Sequence, residues 1–431
     1  MRLDLFYKST GKNYIWMEPL MHIALRLFFR KIYLHNRYGV PALKPVLIAS
    51  NHPTAFVDPI LFCEFFDPPV YNMTRGDIFR KPFFRKLMES VNMFPVFRHR
   101  DGYGERDRNE ETFEYCKDKL RHGHTINIFV EGEHHLDKRV LTPIQKGIAR
   151  IAFGTYEIYP SDDLQIVPVG CNYVFGDRVR DEIKLNVGEP IFVKNYWKTY
   201  LENPNAATAS LCSDIETALK SVCYHVEKRE DDTLAERLLT LWRSENPASL
   251  LPVVEHSGAR FFAEKAVLDR LNALPDMEKK ELREKTEAYF AALEEAGLDD
   301  ETLLHPEHAG FGWLTFLMAG FLPFAAGGIA SWPLRWLANF ATNKLVKKRE
   351  FRTSILLGVA YFGGLLYCAA LLIAGLIAGS PILISLALSL PFLTWFYLFY
   401  REILARWMSA KKAAKHPQRE EILALRRAIP R

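Results

Sequence analysis

Residues 353–400 hold no charged side chain, and the run is interrupted only at Gly379-Ser380-Pro381. A helix needs about 20 apolar residues to cross the hydrocarbon of a bilayer, and each half of the run supplies them. The sequence therefore predicts a transmembrane hairpin, 354–378 and 382–400, with Trp395, Tyr397 and Tyr400 where an aromatic belt belongs. A third apolar stretch, 309–334, contains Pro323, Gly327-Gly328 and Pro333, which argue against one straight span. Charge decides how it is read. The basic loop 335–352 sets Arg335, Lys344, Lys347, Lys348, Arg349 and Arg352 against Glu350, and the tail 401–431 is also rich in Lys and Arg. Positive-inside placement wants both on the cytoplasmic side. The stretch 309–334 then reads as a re-entrant or interfacial hairpin, and the protein as multi-pass, with its N-terminal domain facing the cytoplasm.

The N-terminal half is a different kind of sequence. Two short apolar runs each end in acid–base side chains. Val46-Leu47-Ile48-Ala49 leads into Asn51-His52-Pro53-Thr54-Ala55-Phe56-Val57-Asp58-Pro59, and Ile126-Asn127-Ile128-Phe129-Val130 leads into Glu131-Gly132-Glu133-His134-His135. Strands that end this way predict one site at the edge of a sheet. Six steps of about 100° place His52 and Asp58 on different faces of a helix, so the turn must bend first. A residue before proline is driven to extended backbone. His52 and Asp58 are thus expected outside helix, with Asp58 capping a helix over 60–66. Two readings are open at this point: a base with its orienting carboxylate, or a polar turn residue beside an N-cap.

Glu131, His134, His135 and Asp137 fit none of the standard zinc spacings, and no metal is expected. The six cysteines are scattered without a C-x-x-C, which reads as reduced thiols. A net charge of +5 on 431 residues, with no nucleic-acid motif and no glycine-rich nucleotide loop, gives no reason to expect nucleic acid as a partner.

The blocks taken together resemble the PlsC-type glycerolipid acyltransferases. Asn51-His52-(five residues)-Asp58-Pro59 is similar to that family's first motif; most members have four residues between His and Asp. The five-residue form resembles the fungal glycerol-3-phosphate/dihydroxyacetone-phosphate acyltransferase subgroup. Met93-Phe94-Pro95-Val96-Phe97-Arg98 looks like the second motif. Phe129-Val130-Glu131-Gly132 looks like the third, with Val130 in place of a proline. Val167-Pro168-Val169-Gly170 looks like the fourth. Leu141-Thr142-Pro143-Ile144-Gln145-Lys146-Gly147-Ile148-Ala149 and Gly188-Glu189-Pro190-Ile191 extend the similarity. Glu133-His134 stand where the subgroup has small or hydroxyl residues, and Gln145 where a lysine is common, with Lys146 beside it.

The resemblance implies an α/β fold: a mixed-sheet glycerolphosphate acyltransferase domain at 39–195, followed by a helical region at 196–308 and the α-helical membrane hairpin at 353–400. It implies His52 as catalytic base and Asp58 as its partner. Arg98, Glu131 and Gly132 would form the acceptor site, and Lys146 and Arg75 would add charge. Arg80 and Lys81, beside Arg75, read equally as a solvated face. The donor would be acyl-CoA or acyl carrier protein, a co-substrate rather than a cofactor. The acceptor would be glycerol 3-phosphate or dihydroxyacetone phosphate, an early step of phosphatidic acid and phospholipid synthesis. The alternatives are lysophosphatidate as acceptor, a hydrolase in which His52 activates water, or a non-catalytic lipid-binding membrane protein. No Ser or Cys sits in a nucleophile-elbow context, so direct transfer is expected. Within 1–38, the stretch 16–34 is amphipathic and suits either an interfacial helix or one packed on the catalytic domain. Residues 205–227, 234–242 and 278–296 read as helices, the last with opposite charges at i,i+4 spacing.

Overall fold

The computed structural model describes residues 12–97, 108–132, 139–346 and 348–430. The chain divides into two compact units. One is Met1–Tyr224 with Val253–Gly258 and Lys348–Ser354; the other is His225–Pro252 with Ala259–Lys347 and Ile355–Arg431.

Among its described residues the first unit has nine strands: β1 (Lys31–His35), β2 (Val46–Ser50), β3 (Val70–Arg75), β4 (Met93–Val96), β5 (Thr125–Phe129), β6 (Gln165–Tyr173), β7 (Glu182–Val187), β8 (Ile191–Phe192) and β9 (Val254–Glu255). Their order is β4-β3-β5-β2-β6-β7-β1-β9, with β8 beside β6. β4, β3, β5, β2 and β6 are mutually parallel. β7 turns back antiparallel to β6, and β1 pairs parallel to β7 and β9. The sheet is therefore mixed, as the motifs led us to expect. All five residues of β2 and all nine of β6 are buried, the pattern of strands covered on both faces. Helices α1 (Lys12–Phe28), α2 (Val57–Phe65), α3 (Pro82–Glu89), α4 (Arg108–Arg121), α5 (Gly147–Ile158), α6 (Lys194–Glu202) and α7 (Pro204–Val222) complete the unit. Ile148, Ile151 and Ala152 of α5 and Leu211, Ile215 and Leu219 of α7 share one buried cluster with Leu47, Ile126 and Ile166 of the central strands.

The parallel arrangement brings the carboxyl ends of β2, β3, β4 and β5 out along one edge. In open α/β sheets that edge is where ligands bind. A buried polar row crosses these strands: Ser50 Oγ donates to Asn127 Oδ1 at 2.9 Å, and Asn127 Nδ2 to Asn72 Oδ1 at 3.1 Å. Each group in it is paired, which a buried polar group requires.

The N-terminal helix is shorter than the amphipathic stretch. It stops at Phe28, and Lys31–His35 is strand, paired with both β7 and β9. Ile32-Tyr33-Leu34 bring the β-branched and aromatic side chains that strands favour, and burial between two neighbours outweighs the helical periodicity. α1 packs on α2, where Tyr14 Oη donates to Cys63 O at 2.8 Å.

The second unit is helical among its described residues. Its helices include Asp232–Glu245, Asp276–Ala296, Asp300–Leu304 and Arg419–Arg427; Arg426 Nε donates to Asp300 at 2.7 Å and its Nη1 to Glu245 at 2.8 Å, while Lys279 pairs with Asp231, the residue before Asp232–Glu245, at 2.9 Å. Among the described residues two helices are long and apolar enough to cross a membrane, Arg349–Ile377 and Pro381–Ala414. The second runs well beyond the end of the apolar run at Tyr400, because Glu402, Ile403, Leu404 and Ala405 are good helix formers. Phe311–Ala319 and Phe321–Ala330 are bent by 52°. The latter lies against Pro381–Ala414 so closely that a Cβ on Gly327 would stand 2.4 Å from Leu393 O, the close backbone approach that small residues permit.

Candidate active site

β2 ends at Ser50, and Asn51 carries the pairing one step further with its side chain. Its Nδ2 donates to Cys171 O at 3.0 Å, and Cys171 N–H donates to its Oδ1 at 2.8 Å. The chain is thus fixed on β6 immediately before His52. Asp58 is not the N-cap that the prolines imply. α2 already starts at Val57, so Asp58 lies in its first turn and not outside helix, and no side chain of the cap residue Phe56 bonds the helix. Pro59 is tolerated there because the first-turn N–H groups have no intrahelical partner to lose. Freed from capping, the Asp58 carboxylate turns back toward the loop. It accepts from His52 Nδ1 at 2.9 Å, Thr54 N–H at 2.9 Å, Thr54 Oγ1 at 2.7 Å and Tyr173 Oη at 2.6 Å.

These four donors explain how a fully buried carboxylate is held, since a buried charge must be paired or hydrogen-bonded. Burial, with Asp58 next in order, pushes the Tyr173 phenol well above its ordinary range. Tyr173 therefore keeps its proton and donates it. With Nδ1–H directed at Asp58, the lone pair of the His52 ring lies on Nε2. The ring stacks on Phe129, the last residue of β5, with centroids 3.7 Å apart and planes at 12°. Ser50 and Phe129 are register partners, so the adjacent strands β2 and β5 bring histidine and phenylalanine together.

His52 lines a cavity of about 780 Å³, within the usual range for small-molecule sites. Val130 N–H donates to Ser50 O at 3.1 Å; a proline at 130 could not, and here the valine extends the strand pairing by one bond. Glu131 follows, and its Oε2 accepts from Thr142 N–H at 3.1 Å and Thr142 Oγ1 at 3.0 Å. Gly132 has φ +72°, and a Cβ there would meet Gln145 Cγ at 3.2 Å, so the turn requires glycine. Glu131 thereby ties the end of β5 to the segment that delivers Lys146 to the start of α5. Lys146 has no ion-pair partner among the described residues. Arg75, at the end of β3, lines the same cavity but is paired with Asp77 at 2.6 and 3.1 Å. Arg80 and Lys81 are not among the described lining residues.

Of the residues singled out in the sequence, His52, Asp58, Glu131, Gly132, Lys146 and Arg75 converge here, Asp58 from behind the histidine. Arg98, His134, His135 and Asp137 lie outside the described residues. The chain reaches Arg98 from Phe97, which lines the cavity and is pinned by Asn109 through bonds of 3.0 and 2.6 Å. Several residues were missed. Tyr173 gave no signal, being 115 positions from Asp58. Arg150 lines the cavity, paired with Glu110 at 3.1 Å and placed over Phe113; its spacing of one helical turn from Lys146 could have disclosed it. No Ser or Cys is among the described lining residues, which include the His52 imidazole, the Glu131 carboxylate and the cationic Arg75, Lys146 and Arg150.

The family model described as Acyltransferase matches residues 31–172, which span β1 to β6 and all of these residues but Tyr173. Glycerol-3-phosphate O-acyltransferase 2 of Saccharomyces cerevisiae is 34% identical over 121 residues, 28% of this chain and 16% of the relative. Glycerol-3-phosphate O-acyltransferase 1 of the same yeast is 28% identical over 145 residues, 33% of this chain and 19% of the relative. The chain thus spans less than one fifth of either curated relative. The crystal structure of the 1-acyl-sn-glycerophosphate acyltransferase PlsC from Thermotoga maritima overlaps 47% of this chain and 78% of its own at 17% identity, with a TM-score of 0.35; so loose an overlap carries no weight here. The family match covers the segment that holds the histidine and the carboxylate: residues 31–172 match the Acyltransferase family model, and the chain is similar over 121 and 145 residues to two yeast glycerol-3-phosphate O-acyltransferases.

Proposed function

We propose that the protein is a membrane-bound O-acyltransferase that moves an acyl group from acyl-CoA or acyl carrier protein to glycerol 3-phosphate or dihydroxyacetone phosphate. The observation that carries this reading is His52, held through Nδ1 by a buried, fully hydrogen-bonded Asp58 and lining a cavity with cationic residues. Nε2 takes the proton of the acceptor hydroxyl as its oxygen attacks the thioester carbonyl. The new C–O bond forms, the C–S bond breaks, and the leaving thiolate recovers the proton from the imidazolium. Asp58 orients the ring and stabilises that imidazolium. Lys146, Arg150 and Arg98 take the acceptor's phosphate. Arg75 joins them on releasing Asp77. Glu131 holds the Lys146 segment in place, and Gly132 allows backbone to come close to the acceptor.

The two helices suited to crossing a bilayer support a membrane-bound protein. We place it as multi-pass, with the acyltransferase domain and the basic segments 335–352 and 401–431 on the cytoplasmic side and 309–334 as a re-entrant hairpin; the 52° bend supports the last point.

The test is transfer by detergent-solubilised protein supplied with acyl-CoA and, separately, glycerol 3-phosphate, dihydroxyacetone phosphate and lysophosphatidate. His52→Ala should lower turnover by about 10²- to 10⁴-fold, the usual worth of a general base, and leave the protein folded, though melting lower because buried Asp58 loses one of its donors. Transfer to lysophosphatidate alone would move the enzyme to the next acylation. Transfer that survives His52→Ala would remove the histidine from the mechanism. Hydrolysis of acyl-CoA without an acceptor would favour the hydrolase, and no His52-dependent reaction with CoA or carrier-protein donors would favour a lipid-binding role.

A further inference from the structure

One wall of the cavity comes from far along the chain. Lys348–Ser354 belongs to the same compact unit as the sheet and lies across the loop that follows His52. Ala55 N–H donates to Glu350 O at 3.5 Å, and Phe56 N–H donates to Ser354 Oγ at 2.9 Å. Both donors lie just before α2, at Ala55 and at the N-cap residue Phe56, and α2 has no side-chain cap of its own. The segment therefore pins the chain at the entry to the helix. It is held at its other side by Arg349, paired with Asp177 at 2.5 Å, and by Thr353 Oγ1, which donates to Gly176 O at 2.5 Å. Gly176 and Asp177 lie between β6 and β7, so the strap links the His52 loop to the turn following Tyr173.

This anchoring presents Phe351 to the cavity, its ring 6.5 Å from that of Phe56. With Ala55, Phe56 and Pro59 it forms an apolar side of the lining, whereas Arg75, Lys146 and Arg150 come from the end of β3 and the start of α5. Residues 349–354 of the strap are also the first residues of the apolar helix Arg349–Ile377.

We infer that Phe351 is a specificity-determining residue: its ring ends the apolar arm of the site and sets how long an acyl chain fits past His52. The inference rests on the acyl-transfer reading, since an acyl donor is what fills an apolar arm beside the base. A phosphorylated acceptor belongs at the cations. Phe351 acts by shape alone, while Arg349, Thr353 and Ser354 position it.

The test compares lauroyl-, palmitoyl- and oleoyl-CoA as donors for wild type, Phe351→Ala, Phe351→Leu and Phe351→Trp. Removing the ring should raise the ratio of kcat/KM for long over short chains by about 10-fold, the low end of what one methylene is worth in an apolar pocket. Phe351→Trp should lower it, and Phe351→Leu should fall between wild type and Ala. Thr353→Val, which frees the strap from Gly176, should broaden the preference. A purely structural role would depress all donors alike and leave the ratio unmoved, and that result overturns the inference. Binding of the dodecyl and octadecyl thioethers of coenzyme A, without acceptor, gives the same comparison independently of transfer. If transfer fails but thioether preference shifts with Phe351, the acceptor reading falls and this one stands. If preference is unmoved in both, this one falls alone.

Discussion

At the scale of single residues, the site depends on how a buried carboxylate is satisfied. Asp58 gathers its donors from three places: the neighbouring His52 and Thr54, and Tyr173 at the end of β6. Removing the phenol in Tyr173→Phe leaves one lone pair of a buried anion unanswered. Hydrogen bonds to charged groups are worth about 1.5–3 kcal/mol, so the variant should lose unfolding free energy in that range and melt lower. Asp58 would also hold the imidazole less firmly, and kcat should fall while the KM for donor and acceptor stays near wild type. An unchanged melt together with unchanged kcat would mean that Asp58 is held without Tyr173. The pairing of His52 with Asp58 was legible in the sequence, but its geometry was read in the wrong order. The prolines point to an extended Asp58 acting as a cap. The helix starts earlier, at Val57 and with no side-chain cap, and the Asp58 carboxylate turns to the histidine.

At the scale of elements, the first turn of α5 is a cationic face. Lys146 precedes the helix at its cap position and Arg150 follows one turn later, both lining the cavity. The helix N-terminus adds its own partial positive charge. Arg150→Ala should therefore raise the KM for a phosphorylated acceptor severalfold, with kcat and the KM for acyl-CoA little changed. Lys146→Ala should do the same, and the double variant more. An effect confined to the donor would instead assign these cations to coenzyme A phosphates. The motif blocks revealed each strand end but not this second cation, because a resemblance points to positions a family shares and Arg150 lies just beyond the quoted block. Glu131 is similar: the motif marks it, while its bonds to Thr142 tie down the very segment that carries Lys146.

At the scale of the whole molecule, the proposed topology gives a labelling experiment. With native cysteines removed, Asn343→Cys should react with a membrane-impermeant maleimide from the same side as a cysteine placed on the exposed face of the acyltransferase domain. Ser380→Cys, in the break between the two candidate spans, should react only from the opposite side. Labelling of position 343 from the side of position 380 would make 309–334 a full span and overturn the proposed arrangement.

By itself the sequence determined the class of fold, the strand ends that line the cavity and the apolar helices, because each is written in local patterns: apolar runs, proline and charge placement, and short motifs. Tertiary structure decided what those patterns leave open. It brought Tyr173 to Asp58, turned residues 31–35 from helix to strand, placed Arg150 beside Lys146 in the cavity, and laid Lys348–Ser354 over the His52 loop. The physical reason is the same in each case. These are contacts between residues distant in the chain or choices between competing local preferences, and only the burial of neighbouring elements, which no local pattern records, selects among them.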